Sequence, residues 1–265
     1  MSMIRLRSAD GFSTAAVSTY GARVLDWTNA GTPRLFVPAA LARDERAAPH
    51  GGIPVLHPQF GFFGPGRKHG WVRDREWEVE SHGAGAAILR LQLDDASIGM
   101  SYALKLCVSL SDTTLRVDLA ITNTGSDVAE FTCGLHTYLR VDDITDVVLH
   151  GLEKTVYMDA LDALMLKPAE ATPLQAPINV DRVYVQSPKC LQLRSGTSSL
   201  TMTQAGFGDT VVWNPGAEIA MTFTDLADEE WRQFLCVEAA QIKPPVQLAA
   251  GASWQGSQVL EVLDT

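Results

Sequence analysis

Apolar and polar residues alternate with a period of two over long parts of the chain. The clearest runs cover residues 89–93, 104–110 and 115–121, where apolar side chains occupy every second position. Alternation of this kind is typical of strands that bury one face. A short polar break at Ser111 and Asp112 separates two of these runs, as in a hairpin. The same reasoning predicts further strands at 12–19, 23–28, 76–80, 128–139, 146–157, 190–194, 199–204, 210–214, 232–239 and 253–263.

Helical periodicity is scarce. Residues 39–46 and 225–231 could each form one or two helical turns, which is too little for a parallel sheet whose strands alternate with helices. No repeat, low-complexity tract or linker divides the chain, and the three prolines within 167–177 predict a surface loop. We therefore expect an all-β fold, a large antiparallel β-sandwich, in which residues 1–265 form one domain.

Charge and cysteine content limit the partners and the compartment. The formal net charge is −10, so the chain repels phosphodiester backbones and we do not expect nucleic acid as a partner. No apolar run approaches the roughly 18 residues of a membrane helix, and the first residues lack the apolar core of a signal peptide. The cysteines are widely spaced, without a C-x-x-C motif, and we expect reduced, buried thiols in a cytoplasmic protein. They are Cys107, Cys133, Cys190 and Cys236.

Several motifs of cofactor-dependent enzymes are missing from the sequence. It contains no G-x-x-x-x-G-K-[ST] phosphate loop and no G-x-S-x-G nucleophile elbow. Gly83 and Gly85 lack the third glycine of a dinucleotide site, and no H-x-H pair with a following Glu resembles a cupin metal site. These absences favour acid–base chemistry by side chains.

Two segments place polar residues in an unusual context. Glycines and prolines interrupt an apolar stretch from His50 to residue 61, which is typical either of a rigid loop that a ligand approaches or of a tight loop crossing the core. Residues 67–75 hold five basic or imidazole groups, which would form either an anion site or a solvated basic loop. Trp71 beside them could stack on a sugar ring or belong to the core.

Two further polar residues stand inside apolar strands. In a strand, His136 would share a face with Gly134 and Tyr138, although a lone histidine of this kind is usually structural. Glu238 lies in the apolar run 234–240, where a carboxylate is costly to bury unless it is paired or neutral. Burial would raise its pKa toward neutrality, which suits a general base. A position at the rim, open to water, is the alternative.

Taken in order, these segments resemble the glucose-6-phosphate 1-epimerase group of the aldose 1-epimerase family. The resemblance implies a galactose mutarotase-like supersandwich that interconverts the α and β anomers of a sugar or sugar phosphate, without metal or cofactor. It rests on six short motifs spread over the whole chain. They are Gly51-Gly-Ile-Pro54 with Phe60-Gly61, His69-Gly70 with Arg73, Leu135-His-Thr-Tyr138, Asp181-Arg-Val-Tyr184, Val211-Val-Trp-Asn-Pro215 and Cys236-Val-Glu-Ala-Ala240.

The resemblance also implies residue roles by position. His136 corresponds to the general acid of the family and Glu238 to its general base. With the hydroxyl at C1 deprotonated and the ring oxygen protonated, an aldose ring opens and can close on its other face. The implied substrate-binding residues are His69, Arg73, Asp181 and, as a weaker candidate for either a structural or a binding carboxylate, Asp209.

The chain departs from the family pattern around the implied sugar site. His50 stands where relatives that bind a 6-phosphate usually carry Arg, and Lys68 where they usually carry Gln. Gly216 replaces a Trp and Ile219 a Lys. Histidine is a weaker, pH-dependent partner for an anion than Arg, whereas Lys68 adds a charge. We expect His50, Lys68 and Arg73 to hold an anionic tail of the substrate.

Two other functions remain open from the residues alone. One is a non-catalytic carbohydrate-binding protein on the same fold, which would need no acid–base pair. The other is a metal-dependent β-barrel enzyme that uses His57, His69 and His136 as ligands. We expect a monomer in each case.

Overall fold

The structure, a computed structural model, describes residues 2–44, 46, 48–95, 99–175, 179–196 and 198–263. Strands in three antiparallel sheets dominate this part of the chain, which confirms the all-β prediction. No helix among these residues is both long enough and apolar enough to cross a membrane.

Within the described residues, the elements are the strands given next, two short α-helices and four 3₁₀ turns. The strands are β1 (Met3–Arg7), β2 (Ser13–Ser18), β3 (Val24–Asn29), β4 (Thr32–Pro33), β5 (Val55–Leu56), β6 (Glu78–His82), β7 (Ala86–Asp95), β8 (Met100–Leu110), β9 (Thr114–Asn123), β10 (Ala129–Leu135), β11 (Tyr138–Arg140), β12 (Val147–His150), β13 (Tyr157–Asp159), β14 (Met165–Lys167), β15 (Leu174–Gln175), β16 (Val180–Tyr184), β17 (Cys190–Ser195), β18 (Ser198–Ala205), β19 (Asp209–Asn214), β20 (Phe234–Leu248) and β21 (Ser253–Val262). The helices are α1 (Ala39–Arg43) and α2 (Gly216–Ala220), and the 3₁₀ turns are Val72–Asp74, Ile144–Asp146, Ala160–Asp162 and Glu230–Gln233.

A nine-stranded sheet has the order β15-β12-β17-β18-β21-β9-β8-β7-β6. In this sheet, the apolar and polar residues that alternate along the sequence have buried and exposed side chains in turn. Leu104 of β8 lies opposite Ile121 of β9, and both side chains are buried. Lys105, the residue after Leu104 in β8, points outward and donates a hydrogen bond to Glu80. One face of the sheet therefore belongs to the core and the other to solvent.

An eight-stranded sheet has the order β14-β13-β16-β19-β20-β10-β5, with β11 also paired to β20. One of its faces packs on the nine-stranded sheet. Thr137 Oγ1 donates a hydrogen bond to Gln258 Oε1 of β21 at 2.5 Å, and Gln258 Nε2 donates to the Val237 carbonyl at 3.1 Å. Because side chains alternate along a strand, the neighbours His136 and Glu238 point to the opposite face, away from the core.

The third sheet contains β1 to β4 in sequence order. Ile4, Leu6 and Trp27 are buried, so this sheet closes one side of the apolar core. The Trp27 indole N–H donates to Ser13 Oγ at 2.9 Å. Such a bond satisfies the one polar atom of a fully buried ring.

Several sequence predictions need correction. A single strand over 146–157 is wrong, because β12 ends at His150 and Gly151 follows with φ of 102°, which turns the chain away before β13. The strand over 128–139 is interrupted between β10 and β11, at His136 and Thr137. The loop 167–177 contains β15, although residues 176 and 177 lie outside the described part. Strands β1 and β16 were not predicted, because their alternation is short.

The helix and cysteine predictions are partly confirmed. Helix α1 falls within 39–46, whereas 225–231 holds only the start of a 3₁₀ turn. All four cysteines are free, but only Cys133 and Cys236 are buried. Cys190 is exposed and Cys107 half-buried, since each lies on the outer face of the nine-stranded sheet. Their apolar neighbours in the sequence led to the prediction that they are buried.

Candidate functional site

A cavity of about 850 Å³ opens on the face of the eight-stranded sheet that points away from the core. Strands β16, β19 and β20 form its floor, and residues of the 49–73, 160–164 and 219–223 segments form its walls. Seven residues identified from the sequence line it, although they come from four separate parts of the chain. They are His50, Lys68, His69, Arg73, His136, Asp181 and Glu238.

His136 and Glu238 meet on the cavity floor. The backbone N–H of His136 donates to the Pro54 carbonyl at 2.9 Å, and Glu238 lies in β20 opposite Val211 of β19. His136 Nδ1 and Glu238 Oε2 are 3.4 Å apart, and the residues are only 8% and 1% exposed. Neither atom makes a hydrogen bond to the described residues. Both residues line the cavity, so the pair is placed to exchange protons with a molecule bound there.

Burial dominates the protonation of this pair. It raises the pKa of Glu238 well above its usual range, Asp181 adds to that increase, and Lys68 opposes it. Burial lowers the pKa of His136, and nearby cations, Arg73 and Lys68 among them, lower it further. Each effect disfavours the charged form of its group. The pair therefore tends to carry one proton and no net charge.

Aromatic rings fix the orientation of the imidazole. The His136 ring stacks on Tyr138, with centroids 4.7 Å apart and planes 7° apart, and meets Trp213 edge-on at 5.8 Å. Both aromatic residues also line the cavity. Neither residue was predicted to belong to the site, although both lie inside motifs that carry the family resemblance. Trp213 is half-buried whereas Tyr138 is only 2% exposed, so Trp213 is the one that can offer an apolar surface to a sugar ring.

Asp181 supplies a second carboxylate to the cavity. It lies in β16 opposite Trp213 of β19. Burial raises its pKa to about 6, while Lys68 lowers it. The group is therefore mostly ionised at neutral pH, where a carboxylate accepts hydrogen bonds from hydroxyl groups.

His69 is held in a strained position on the cavity wall. Its φ is 65°, a left-handed conformation that is uncommon outside glycine. Its Nδ1 accepts the Gly61 N–H at 3.2 Å, which leaves Nε2 to carry the proton. Burial, with smaller contributions from Arg73 and Lys68, lowers its pKa to about 3. His69 is thus a neutral hydrogen-bond donor.

Two cations stand beside His69. Arg73 belongs to a 3₁₀ turn, and burial lowers its pKa although Asp74 opposes that effect. Its Nε is buried without a hydrogen bond to the described residues. Lys68 places its ammonium 5.2 Å from the Phe62 ring centroid at the cavity wall. An anionic substituent of a sugar would find both charges at this side.

His50 is anchored by a partner that the sequence did not reveal. Its Nδ1 lies 2.8 Å and 3.0 Å from the two carboxylate oxygens of Asp225, and its backbone N–H donates to the same group at 3.1 Å. Burial raises the pKa of Asp225, but the hydrogen bond and charge of His50 outweigh it and lower the pKa overall. The His50 ring stacks on Trp213. Its Nδ1 is occupied, so only Nε2 can contact a ligand.

The family model described as Aldose 1-epimerase matches residues 2–261. The chain belongs to the aldose 1-epimerase family. A "Putative glucose-6-phosphate 1-epimerase" of Cenchrus ciliaris is 30% identical over 267 residues, covering 94% of this chain and 81% of the relative. A protein of the same name in Escherichia coli K12 is 25% identical, covering 85% and 79%.

Solved structures agree on the fold. YeaD of Salmonella typhimurium superposes with a TM-score of 0.86 at 21% identity, over 99% of this chain and 90% of that one. Slr1438 of Synechocystis gives a TM-score of 0.81 at 19% identity, over 98% and 95%. The aldose 1-epimerase family and its large antiparallel sandwich are therefore confirmed. The chain is an isomerase that interconverts the anomers of an aldose.

Asp209 is the one implied substrate contact of this epimerase that lies away from the cavity. It is fully buried. Its Oδ1 accepts the Gln186 N–H at 3.0 Å, and its Oδ2 accepts the N–H groups of Ile242 and Lys243 at 2.8 and 2.7 Å. All three donors are backbone groups that this carboxylate satisfies. Of the two roles implied for Asp209, the structure supports the structural one.

The three histidines His57, His69 and His136 do not form the metal site that the alternative of a metal-dependent enzyme requires. His57 is fully buried, with its ring 4.5 Å from Tyr102 and 4.9 Å from Phe131 between centroids. It does not line the cavity. In the described parts of the chain, the three-residue group that could hold a metal consists instead of His136, Cys236 and Glu238.

Proposed function

We propose that Glu238 and His136 catalyse the anomer exchange as general base and general acid, and that the substrate is a hexose 6-phosphate. The observation that carries the catalytic part is the placement of one imidazole and one carboxyl 3.4 Å apart on a cavity floor. The two reacting oxygens of an aldose, the C1 hydroxyl and the ring oxygen, are bonded to the same carbon. A pair this close can contact both at once.

Ring opening follows from that arrangement. From the form of the pair in which its one proton lies on His136, Glu238 takes the proton of the C1 hydroxyl while His136 gives its proton to the ring oxygen. The bond between C1 and the ring oxygen breaks, and its electrons go to that oxygen as C1 becomes a carbonyl carbon. Rotation about C1–C2 presents the other carbonyl face, and closure with the two roles reversed regenerates both groups.

The rate acceleration that two proton transfers can supply is large enough for this reaction. A positioned proton transfer contributes typically about 10²–10⁴ in rate. Two such transfers correspond to roughly 5–11 kcal/mol of barrier reduction. Mutarotation already proceeds in water, so acid–base catalysis alone can accelerate it.

The substrate part of the proposal rests on charge and on the relatives' printed name. Lys68, Arg73 and His50 all line the cavity. A phosphate needs such cations or N–H donors. Asp181 would accept hydroxyl protons of the sugar, and His69 would donate through Nε2.

The catalytic proposal is tested by exchange NMR of the C1 proton between the two anomers. Glu238→Gln and His136→Gln keep shape and polarity, and each should reduce the enzymatic exchange rate by about 10²–10⁴ with an unchanged circular dichroism spectrum. His82→Gln, an exposed histidine of β6, is the matched control and should exchange at the wild-type rate. A folded Glu238→Gln or His136→Gln protein with wild-type exchange would remove that residue from the mechanism. Sugar binding without exchange in the wild type would instead support the binding-protein alternative.

The substrate proposal has its own measurement. We expect kcat/KM for glucose 6-phosphate to exceed that for glucose, and Lys68→Met to reduce this preference because it removes one cation from the cavity wall. Equal efficiency for the two sugars in the wild type would contradict a phosphate role for these residues. It would leave the catalytic pair unaffected.

We further propose that the chain acts as a cytoplasmic monomer and that residues 1–265 form one domain. The hydrogen bonds between Thr137, Gln258 and Val237 join the two large sheets, which supports one cooperative unit. Light scattering after size exclusion should give the mass of one chain. A single cooperative unfolding transition is expected, and two separate ones would contradict a single domain.

A further inference from the structure

A nitrogen, a sulfur and an oxygen lie close together beside the cavity that His136 and Glu238 line. His136, Cys236 and Glu238 each offer one ligand atom, and these atoms lie within 4.8 Å of one another. Cys236 and Glu238 are two residues apart in β20, so their side chains share a face. All three residues are buried, at 8%, 0% and 1% exposure.

The polar atoms of this trio are not used elsewhere in the described structure. His136 Nδ1 and Glu238 Oε2 are buried and make no hydrogen bond to the described residues, and Cys236 forms no disulfide. Buried polar atoms are normally paired. Two such atoms close to a buried thiol, in residues that line the cavity, indicate a site that can bind a cation.

We propose that His136, Cys236 and Glu238 form a zinc site, and that zinc bound there reversibly inhibits the epimerase. The inhibition part rests on the proposed function, since it requires His136 and Glu238 to be the catalytic pair. The binding part depends only on the geometry of the three ligands.

The distances suit tetrahedral zinc. Zinc bonds of about 2.0–2.1 Å to nitrogen and oxygen place those two ligands about 3.3 Å apart in a tetrahedron. His136 Nδ1 and Glu238 Oε2 are already 3.4 Å apart. With a zinc–sulfur bond of about 2.3 Å, the thiolate would stand about 3.5 Å from each of the other two. The three atoms now lie within 4.8 Å of one another, so the Cys236 sulfur would have to move closer by side-chain rotation when the metal binds.

The mixed donor set selects the metal class. A nitrogen, a sulfur and an oxygen suit zinc or cobalt(II), whereas magnesium and calcium require oxygen ligands. The fourth position would face the cavity and take water or a sugar hydroxyl. Binding displaces the thiol proton and the one proton of the His136–Glu238 pair to solvent. The metal would occupy the lone pairs that exchange protons with the sugar, so epimerisation would stop while zinc is bound.

Cys133 provides a matched control. It is as buried as Cys236 and also free, but it lies in β10 next to Gly134, whose added Cβ would meet the Phe60 ring on the cavity side. Cys133 therefore points to the opposite face, toward the core. Neither cysteine belongs to the proposed catalytic pair, so Cys236→Ser and Cys133→Ser should both retain the wild-type exchange rate.

The binding test uses cobalt(II) without any sugar. Titration into wild type and Cys133→Ser should produce a thiolate-to-cobalt charge-transfer absorption, and Cys236→Ser should lack it although exposed Cys190 is still present. Retention of the full absorption in Cys236→Ser, or its absence from the wild type, would overturn the site. Should Cys236→Ser fail to fold, Cys236→Ala replaces it.

The inhibition test measures anomer exchange against zinc concentration. We expect the zinc concentration for half-inhibition to rise about 10- to 100-fold or more in Cys236→Ser, the loss typical of removing even an outer partner of a metal site. Cys133→Ser should match the wild type, a chelator should restore activity, and magnesium should have no effect. Equal zinc sensitivity of Cys236→Ser and wild type would refute inhibition through this site. Cobalt binding without zinc inhibition would instead count against the catalytic pair, which separates the two proposals.

Discussion

Two buried carboxylates lie on neighbouring strands of the eight-stranded sheet, and their surroundings differ completely. Asp209, at the start of β19, accepts three backbone N–H groups. Glu238, in the middle of β20, has an oxygen with no hydrogen-bond partner in the described structure and faces a cavity beside His136. Both residues are at most 1% exposed. Burial alone therefore does not distinguish a structural carboxylate from a functional one.

The difference lies in where each group finds its hydrogen bonds. A satisfied carboxylate stabilises the loops it bonds and has no capacity left for a ligand. An unsatisfied one costs stability until a substrate or metal supplies the partner. Two buried histidines show that an unpaired polar atom is not sufficient. Both ring nitrogens of His57 also lack a hydrogen bond to the described residues, but His57 sits among aromatic rings away from the cavity, whereas His136 lines it.

The largest expected effect separates the two carboxylates by activity. Glu238→Gln should lower kcat by about 10²–10⁴. It should leave the free energy of unfolding at pH 7 unchanged or slightly higher, because the neutral amide removes the free-energy cost of burying an ionisable carboxyl group. Steady-state kinetics and urea unfolding measure both quantities. A large loss of stability in Glu238→Gln would mean that the carboxyl is structural after all.

Asp209→Asn should show the reverse behaviour. The new NH₂ group would face a backbone N–H where an oxygen now accepts, so we expect a loss of about 2–5 kcal/mol in the free energy of unfolding. The folded fraction should keep its activity, since Asp209 lies away from the cavity. Urea unfolding and activity per folded molecule are the measurements. Wild-type stability would show that the three backbone bonds contribute little.

The burial of His57 can be tested through the stability of the protein in acid. Burial lowers the pKa of His57 to about 3 in the folded protein, below the value of about 6.5 in an unfolded chain. The stability it contributes is complete above pH 6.5 and is lost as the pH falls toward 3. Relative to His57→Leu, the wild type should lose about 1.4 kcal/mol per pH unit between 6.5 and 4.5. Parallel pH profiles of the two proteins would contradict this.

The smallest expected effect concerns Asp181. Its pKa is raised to about 6 by burial, so the carboxylate is ionised above that pH and protonated below it. Protonation weakens acceptance of sugar hydroxyl protons, and KM should rise roughly three- to tenfold between pH 7 and 5. In Asp181→Asn, KM should be higher at pH 7 and nearly constant over this range. An unchanged pH dependence in that variant would assign the titration to another group.

Much of the fold was predictable from the sequence. The alternation in β7, β8 and β9 was clear because one face of each strand is buried and the other is wet. The seven cavity residues were also found, through motifs that resemble the family. Three site residues were not predicted, namely Asp225, Tyr138 and Trp213. The residues next to an aspartate or an aromatic residue in the sequence do not indicate which distant side chain it contacts in the fold.

The sequence by itself determined the sandwich and the chemical types available, because strand alternation and residue chemistry are local properties. Only the tertiary structure decided that Asp209 is satisfied and Glu238 is not, and that His50 is tied to Asp225, 175 positions away. Hydrogen-bond satisfaction depends on donors brought together by folding. The pattern of residues along the chain does not specify them.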